Sequence, residues 1–353
     1  MSTSVLRAAK RFSLGNVLTD RYTPGHGEAS RHIIYEWEDE IAAMMGLPLA
    51  DAAPLRGAGG KGSAVARKLL RVPGVSDAMR ALDSWLAPTA KSLYFALSPH
   101  RMGHFSTTAR VVPAIVDFWK SVDLKYFFRS YGNCPAVLIS SREAYSYLKA
   151  NGCPLEIHHF PLSLPDRYKM QPTDAFEKTL DVAVAGRANK TLLEFMKRYE
   201  KDHPQVEYLF QEERPGDDGK LSYISNKRGR IEGLEGRAAY VSLIRSAKVA
   251  FYATPGIDGG EARTGGFNPV TPRLFELLAA GCHVVARYPD NDDTRFYELQ
   301  EICPSADTYD RFAATLDQAL GAPPPLARNS AYLQKHYTSA RVELLRHIMK
   351  RFS

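Results

Sequence analysis

From about residue 90 onward, short apolar runs alternate with amphipathic stretches. "KSLYFALS" (Lys91–Ser98) predicts a buried strand, and "ARVVPAIVDFW" (Ala109–Trp119) a second one that reaches the polar Asp117. "PAVLISS" predicts a third, followed by the helix "REAYSYLKANG", which Gly152 stops. "LEIHHFPLSLP" is the next strand and its exit; His158 and His159 then point to opposite faces, so at most one can line a site. Strands that are apolar almost throughout, separated by helices, imply a parallel sheet covered on both faces. The first ~90 residues have no such rhythm; only "HIIYEWEDEIAAMMG" (His32–Gly46) reads as an amphipathic helix, ended by Gly46.

A polar connection containing proline, Asp166–Thr179, marks a domain boundary, after which the alternation restarts. "LDVAVAG", "VEYLF", "KVAFYATPG" and "CHVVARY" read as strands, with "NKTLLEFMKRYEKDH", "RAAYVSLIRSA", "TPRLFELLAAG", "DTRFYEL" and "DRFAATLDQAL" as helices between and after them. The predicted fold class is α/β: two Rossmann-like parallel domains facing a cleft, 1–165 and 180–335, with a basic helix over 336–353. Ligands in such sheets bind outside the carboxyl ends of the strands.

The helix "TPRLFELLAAG" has a strongly specified start. Thr271 suits the N-cap and Pro272 the first helical position. Val270 and Phe275 fall at the two positions of a hydrophobic staple, and Gly281 suits the stop. A fixed helix start favours phosphate through its backbone N–H groups and partial positive charge. Arg273 adds a bidentate phosphate donor. Glu276, one turn on, carries a carboxylate that can accept two hydrogen bonds from a diol such as ribose. Upstream, "TPGIDGGEARTGGFN" brings a glycine-rich backbone, with Glu261 and Asn268, next to that helix start.

Composition narrows the function without naming it. The 353 residues are 44% hydrophobic and 24% charged, as in an ordinary globular protein. No run approaches the ~18 apolar residues of a membrane span. The start "MSTSVLRAAKRFSLGN" has no apolar h-region, so no signal peptide is expected. Four widely spaced cysteines without a CxxC pair read as reduced, buried thiols of a cytosolic protein, not as a zinc site. The net charge of +7 gathers at both ends and in "SNKRGR", and attracts anionic substrates or an anionic membrane surface. No nucleic-acid-binding motif accompanies it, so nucleic acid is not an expected partner. "APLRGAGGKGSAVARK" looks like a phosphate loop, but Lys61 is followed by Gly62 instead of Ser or Thr, and a surface loop is the better reading.

"TPRLFELLAAGCHVV", followed by an acidic loop and a helix, resembles the C-terminal donor-binding domain of GT-B glycosyltransferases, most closely a family 1 branch similar to spore-maturation-type transferases with the pattern R-x-F-E-x-x-A-x-G. The resemblance covers about residues 180–353. "VAVAGRANKT" looks like the first strand and Gly-Arg…Lys phosphate loop of that domain. The basic last helix looks like the one that crosses back to the N-terminal domain.

Position by position, the resemblance implies that Glu276 binds the ribose. Gly186, Arg187 and Lys190 would hold the diphosphate together with Arg273 and the backbone around Thr271. Ile231 would touch the base through its main chain. Many retaining members carry Glu-x7-Glu here; the position eight before Glu276 is Asn268, and Glu261 is the nearest substitute.

The implied partners are a nucleotide sugar and a saccharide or lipid-linked acceptor. The implied place is the cytoplasm, peripherally on the inner membrane face, with no cofactor. Transfer with inversion also needs a base near the acceptor; Asp117, after its strand, and His100 in "SPHRMGHF" are the candidates from the first domain. His100 and His104 lack a third metal ligand nearby. Asp290 and Asp292 in "PDNDDT" imitate a metal-binding pair, but they stand just before a helix, where Asp292 or Asp293 is expected as N-cap and first-turn carboxylate. No metal is expected, since cationic side chains would neutralise the leaving diphosphate. A sugar-nucleotide epimerase of the same layout and a non-catalytic nucleotide-sugar-binding subunit remain the alternatives.

Overall fold

The computed structural model describes residues 11–22, 31–52, 89–99, 109–186, 188–212, 222–231 and 236–352. It divides into two compact units: Met1–Leu162 with Thr338–Ser353, and Ser163–Tyr337. Each is built on a six-stranded sheet.

The first unit holds β1 (Ser13–Thr19), α1 (His32–Met45), β2 (Leu49–Asp51), β3 (Ala90–Ala96), β4 (Val111–Ile115), α2 (Leu124–Tyr131), β5 (Val137–Ile139), α3 (Arg142–Ala150) and β6 (Ile157–His159). The strand order is β2-β1-β3-β4-β5-β6, parallel throughout. β4 and β5 are buried at every position, as their unbroken apolar runs require. β4 ends at Ile115, two residues short of Asp117.

The irregular first 90 residues thus contain two strands that the pattern does not reveal. In β1 the alternation is broken at Gly15 and Asn16, where the register against β3 shifts. Gly15 also lets β1 lie close to β3, since a Cβ would stand 3.0 Å from the Cβ of Ala90, tighter than ordinary van der Waals contact. α1 ends where expected: Gly46 adopts φ 64, and the Leu47 N–H returns to the Ala42 carbonyl at 2.9 Å.

The last helix, α11 (Thr338–Lys350), belongs to this first unit. Val342, Leu345, Ile348 and Met349 pack with Ile34, Trp37 and Ile41 of α1 in one core. Phe352 lies 4.6 Å from Phe12, ring to ring, and its carbonyl accepts the Phe12 N–H at 2.8 Å. The apolar face of this helix is therefore inside the protein. Arg341 is not a surface cation either; its Nε donates to the carbonyls of Pro161 and Leu162 at 3.0 and 3.2 Å. Arg346, His347, Lys350 and Arg351 are exposed.

The second unit holds β7 (Leu180–Val184), α4 (Lys190–Asp202), β8 (Tyr208–Glu212), β9 (Ser222–Ser225), β10 (Gly229–Ile231), α5 (Gly236–Ser246), β11 (Ala247–Ala253), α6 (Pro272–Ala279), β12 (His283–Arg287), α7 (Asp292–Phe296), α8 (Leu299–Ile302), α9 (Tyr309–Gly321) and α10 (Leu326–Leu333). Its order is β10-β9-β8-β7-β11-β12. Strands β8, β7, β11 and β12 are parallel, and β9 and β10 continue the sheet antiparallel. One apolar core forms around α5, α6 and α10, and the other around α4 and α9. All four cysteines are free thiols; Cys282 and Cys303 are buried as expected, whereas Cys134 and Cys153 are only half-buried.

The carboxyl end of β1 carries a cluster with a consequence for stability. Arg21 donates to Thr19 Oγ1 from Nε at 3.0 Å and to Asp39 Oδ1 at 2.6 Å, with Glu38 Oε2 at 3.5 Å. Tyr94 donates to Asp20. Glu38 is 1% exposed, and burial pushes its carboxyl up to about 8 despite Thr19 and Arg21. A glutamate in the unfolded chain titrates near ~4.3. The folded form therefore binds the extra proton, and stability is full below ~4.3 and declines as the pH rises to about 8. Glu38→Gln should match the native protein near pH 5 and exceed it in denaturant midpoint at pH 9. A variant that loses stability equally at both values would refute the buried proton.

Candidate functional site in the second unit

In the second unit the chain passes from β7 to β8 on one side of β7, then returns to β11 on the other. The order reverses between β7 and β11, and the crevice of such a sheet lies outside their carboxyl ends. The loop 185–189 leaves β7 there, and the loop 254–271 leaves β11 and enters α6.

Gly186, in the first loop, has φ 77. Arg273, in the first turn of α6, lies directly over it: a Cβ on Gly186 would stand 2.3 Å from Nη2 and 2.4 Å from Cζ of that guanidinium. Tyr223 of β9 is hydrogen-bonded to the Gly186 backbone and feels the Arg273 charge; burial raises its hydroxyl pKa, and these two interactions oppose the rise. The absence of a side chain at 186 is thus what lets the cation at the start of α6 reach the backbone of the loop after β7. Both the glycine and the arginine were expected in the site, and the structure brings them together.

The start of α6 is built as expected, with one difference. Thr271 is the N-cap in extended conformation and Pro272 holds the first turn, but the Thr271 side chain makes no capping bond. It turns to Tyr252, whose hydroxyl also accepts the Thr271 N–H at 2.9 Å. Val270 and Phe275 are both buried in one core. Gly281 takes φ 69, and its N–H and that of Cys282 return to Leu278 and Leu277.

Glu276 is held by α5. Its Oε1 lies 2.5 Å from Arg237 Nη1, and its Oε2 accepts from Tyr240 Oη at 2.9 Å. Its side chain is 10% exposed. Tyr240 stays protonated, its pKa raised first by burial and then by the Glu276 charge. Arg237 and Tyr240 are three residues apart on α5, and neither stands out in the sequence, because their partner lies 36 or more positions away.

The glycine-rich loop is braced internally. Asn268 Oδ1 accepts from Thr254 Oγ1 at 2.8 Å, its Nδ2 donates to the Gly266 carbonyl at 2.9 Å, and its own carbonyl accepts from Asn291 Nδ2 at 3.0 Å. Glu261 pairs with Arg263. Asp258, with φ 55, grips Arg287 at the end of β12 through Oδ1 at 2.6 Å, and Oδ2 accepts from Asn189 Nδ2 at 3.0 Å. Arg287 holds the Asp258 carboxyl below the usual carboxylate range. This pair fastens the loop to the start of α4, where Asn189 caps the helix and Lys190, its first residue, is exposed. The sequence reading missed Asp258 and Arg287, although an aspartate directly before two glycines in "GIDGG" is a mark of left-handed backbone.

Ile231 ends β10 and packs partly against the core beneath α6. Asp117 lies in the first unit, just past β4, half-buried, with its N–H on the Leu97 carbonyl at 2.9 Å. His159 of β6 reaches the Ser140 carbonyl at 3.2 Å and is kept neutral by burial, its pKa lowered to about 3. His100 and Arg187 lie outside the described residues. Asn291, not Asp292 or Asp293, caps α7: its side chain accepts the Thr294 N–H and Thr294 reciprocates, while Asp292 and Asp293 are the carboxylates of the first turn. Asp290 and Asp292 point to Arg295 at 3.0 and 3.3 Å. Among the described residues no cluster of His, Cys, Asp and Glu has the form of a metal site, and no helix is long and apolar enough to cross a membrane.

No protein-family model matches the chain, and no curated protein matches it in sequence. Solved structures do match its fold. A chain of the GtfA/B complex superposes with TM-score 0.50 at 11% identity, over 80% of this chain and 62% of that one. A mutant of S. aureus TarM, in complex with fondaparinux, α-GlcNAc-glycerol and UDP, superposes with TM-score 0.54 at 12% identity, over 76% and 58%. The present chain spans about three fifths of the length of these structures. The shared architecture is that of the GT-B class, two α/β units with parallel-dominated sheets.

Proposed function

We propose that the protein is a glycosyltransferase that takes its sugar from a nucleotide-sugar donor. The observation that carries this is the placement of Arg273 over Gly186 at the switch point of the second sheet, on the helix that also carries Glu276. A guanidinium fixed over a glycine backbone suits a diphosphate, and a carboxylate one turn further along the same helix suits a ribose. The two solved folds support the reading, since one of them was determined with UDP bound. The donor diphosphate would lie against Arg273, Arg187, Lys190 and the start of α6, with these cations in place of a metal. The acceptor, a saccharide or lipid-linked glycan, would meet the first unit, where Asp117 and His100 are the candidate bases. Within this reading the chain would fall in the spore-maturation-like branch, whose R-x-F-E-x-x-A-x-G pattern Arg273 and Glu276 fit.

The test is a thermal-shift screen against UDP-, GDP-, CMP- and dTDP-sugars, since a ligand that binds only the folded state raises its stability. One donor family should raise the melting temperature of the native protein, and Glu276→Ala should reduce that rise. Absence of a shift with every donor at millimolar concentration would remove the proposal.

A further inference from the structure

The carboxylate of Glu276 is fixed from one side by two donors of α5, one on each oxygen. Arg237, which supplies the shorter contact, is itself fixed from a third side. Its Nε donates to Tyr168 Oη at 3.2 Å, and its guanidinium stands 5.0 Å from the Tyr168 ring centre and 5.7 Å from that of Tyr240. Its side chain is 19% exposed. Arg237 is therefore a rigid element, and the plane of the Glu276 carboxylate is set by it.

A carboxylate oxygen has two acceptor positions. With one donor from α5 on each oxygen, one position per oxygen remains. That is the requirement of a vicinal diol, whose two neighbouring hydroxyls each need one acceptor. A carboxylate free to rotate would meet a diol only after paying rotamer entropy; one already oriented would not.

Resting on the donor-binding reading above, we propose that Arg237, supported by Tyr240 and Tyr168, is a positioning residue that orients Glu276 to select a ribose diol, and so makes the site specific for ribonucleotides. Arg237 does not touch the nucleotide. It acts through the carboxylate alone, so its removal should affect only ligands that carry the diol.

The experiment compares uridine and guanosine diphosphates with their 2′,3′-dideoxy counterparts by calorimetry, on the full chain. The native protein should prefer the diol form of at least one pair by ~10-fold or more, the scale of a hydrogen bond to a charged group. Glu276→Ala should bring that ratio close to one. Arg237→Ala should lower it by ~5-fold or more and leave the dideoxy affinity within about twofold, because an unfixed carboxylate loses orientation and not charge. Tyr240→Phe should lower it less, and Arg237→Lys should restore part of it. If the native protein does not discriminate, or Glu276→Ala keeps the ratio, the ribose reading fails and this inference with it. If Glu276→Ala collapses the ratio and Arg237→Ala leaves it intact, or weakens both ligands of a pair equally, the inference alone is overturned. Should Arg237→Ala fail to fold, the Tyr240→Phe and Arg237→Lys ratios decide in the same way.

Discussion

Replacing Arg273 by alanine should cost the protein most of its affinity for nucleoside diphosphates, about 1.5–3 kcal/mol, as expected for a charge-assisted hydrogen bond. The same loss should appear with inorganic pyrophosphate, which has neither base nor ribose. The fold should survive, because Arg273 is half-buried on the outer face of α6, while Leu274, Phe275, Leu277 and Leu278 carry the packing on the inner one. Arg273→Lys should recover only part of the affinity; a point charge on a flexible stem lacks the planar fork. The comparison with Glu276→Ala separates the two halves of the site, since that variant should spare pyrophosphate. Calorimetry with both ligands decides the matter, and unchanged binding to Arg273→Ala would move the cationic floor away from α6.

How much of this arrangement the sequence discloses depends on the distance over which each part is determined. The start and stop of α6 are local: Thr271, Pro272, the Val270–Phe275 staple and Gly281 lie within twelve consecutive residues, and the structure follows them. The buried strands β4 and β5 are equally plain, because both faces are covered and every position is apolar.

β1 is not plain. Its order comes from neighbours on both sides in the sheet, and its own pattern is interrupted by Gly15 and Asn16. The same holds for chemistry. Thr271 carries an N-cap side chain by type, yet Tyr252 offers its hydroxyl from a buried strand, and no local rule anticipates that competition. Arg237 and Asp258 matter through Glu276 and Arg287, residues brought near only by the packing of α5 on α6 and by the alignment of β11 with β12. The last helix shows the limit in its simplest form. Its apolar stripe is visible in the sequence, but the stripe alone does not distinguish a membrane from α1, which is what covers it.

Gly186→Ala should reproduce the binding defect of Arg273→Ala without touching a charge. Two effects act at this position. The backbone stands at φ 77, where a Cβ is strained by ~1–2 kcal/mol, so some stability is lost. The larger effect is on the guanidinium. The new methyl would fall 2.3 Å from Nη2 and 2.4 Å from Cζ of Arg273, well inside any allowed contact. What it meets is the far end of a flexible side chain, so the arginine moves and the loop stays. A displaced guanidinium contributes little to a ligand that was to sit against it. The protein should therefore remain folded, with a modestly lower melting temperature, and bind pyrophosphate about as weakly as Arg273→Ala. Because both substitutions remove one interaction, the double variant should bind no more weakly than either single one, whereas independent contributions would add in free energy. Additive losses in that cycle would mean that Gly186 serves the ligand through its own backbone, and that its contact with Arg273 is incidental.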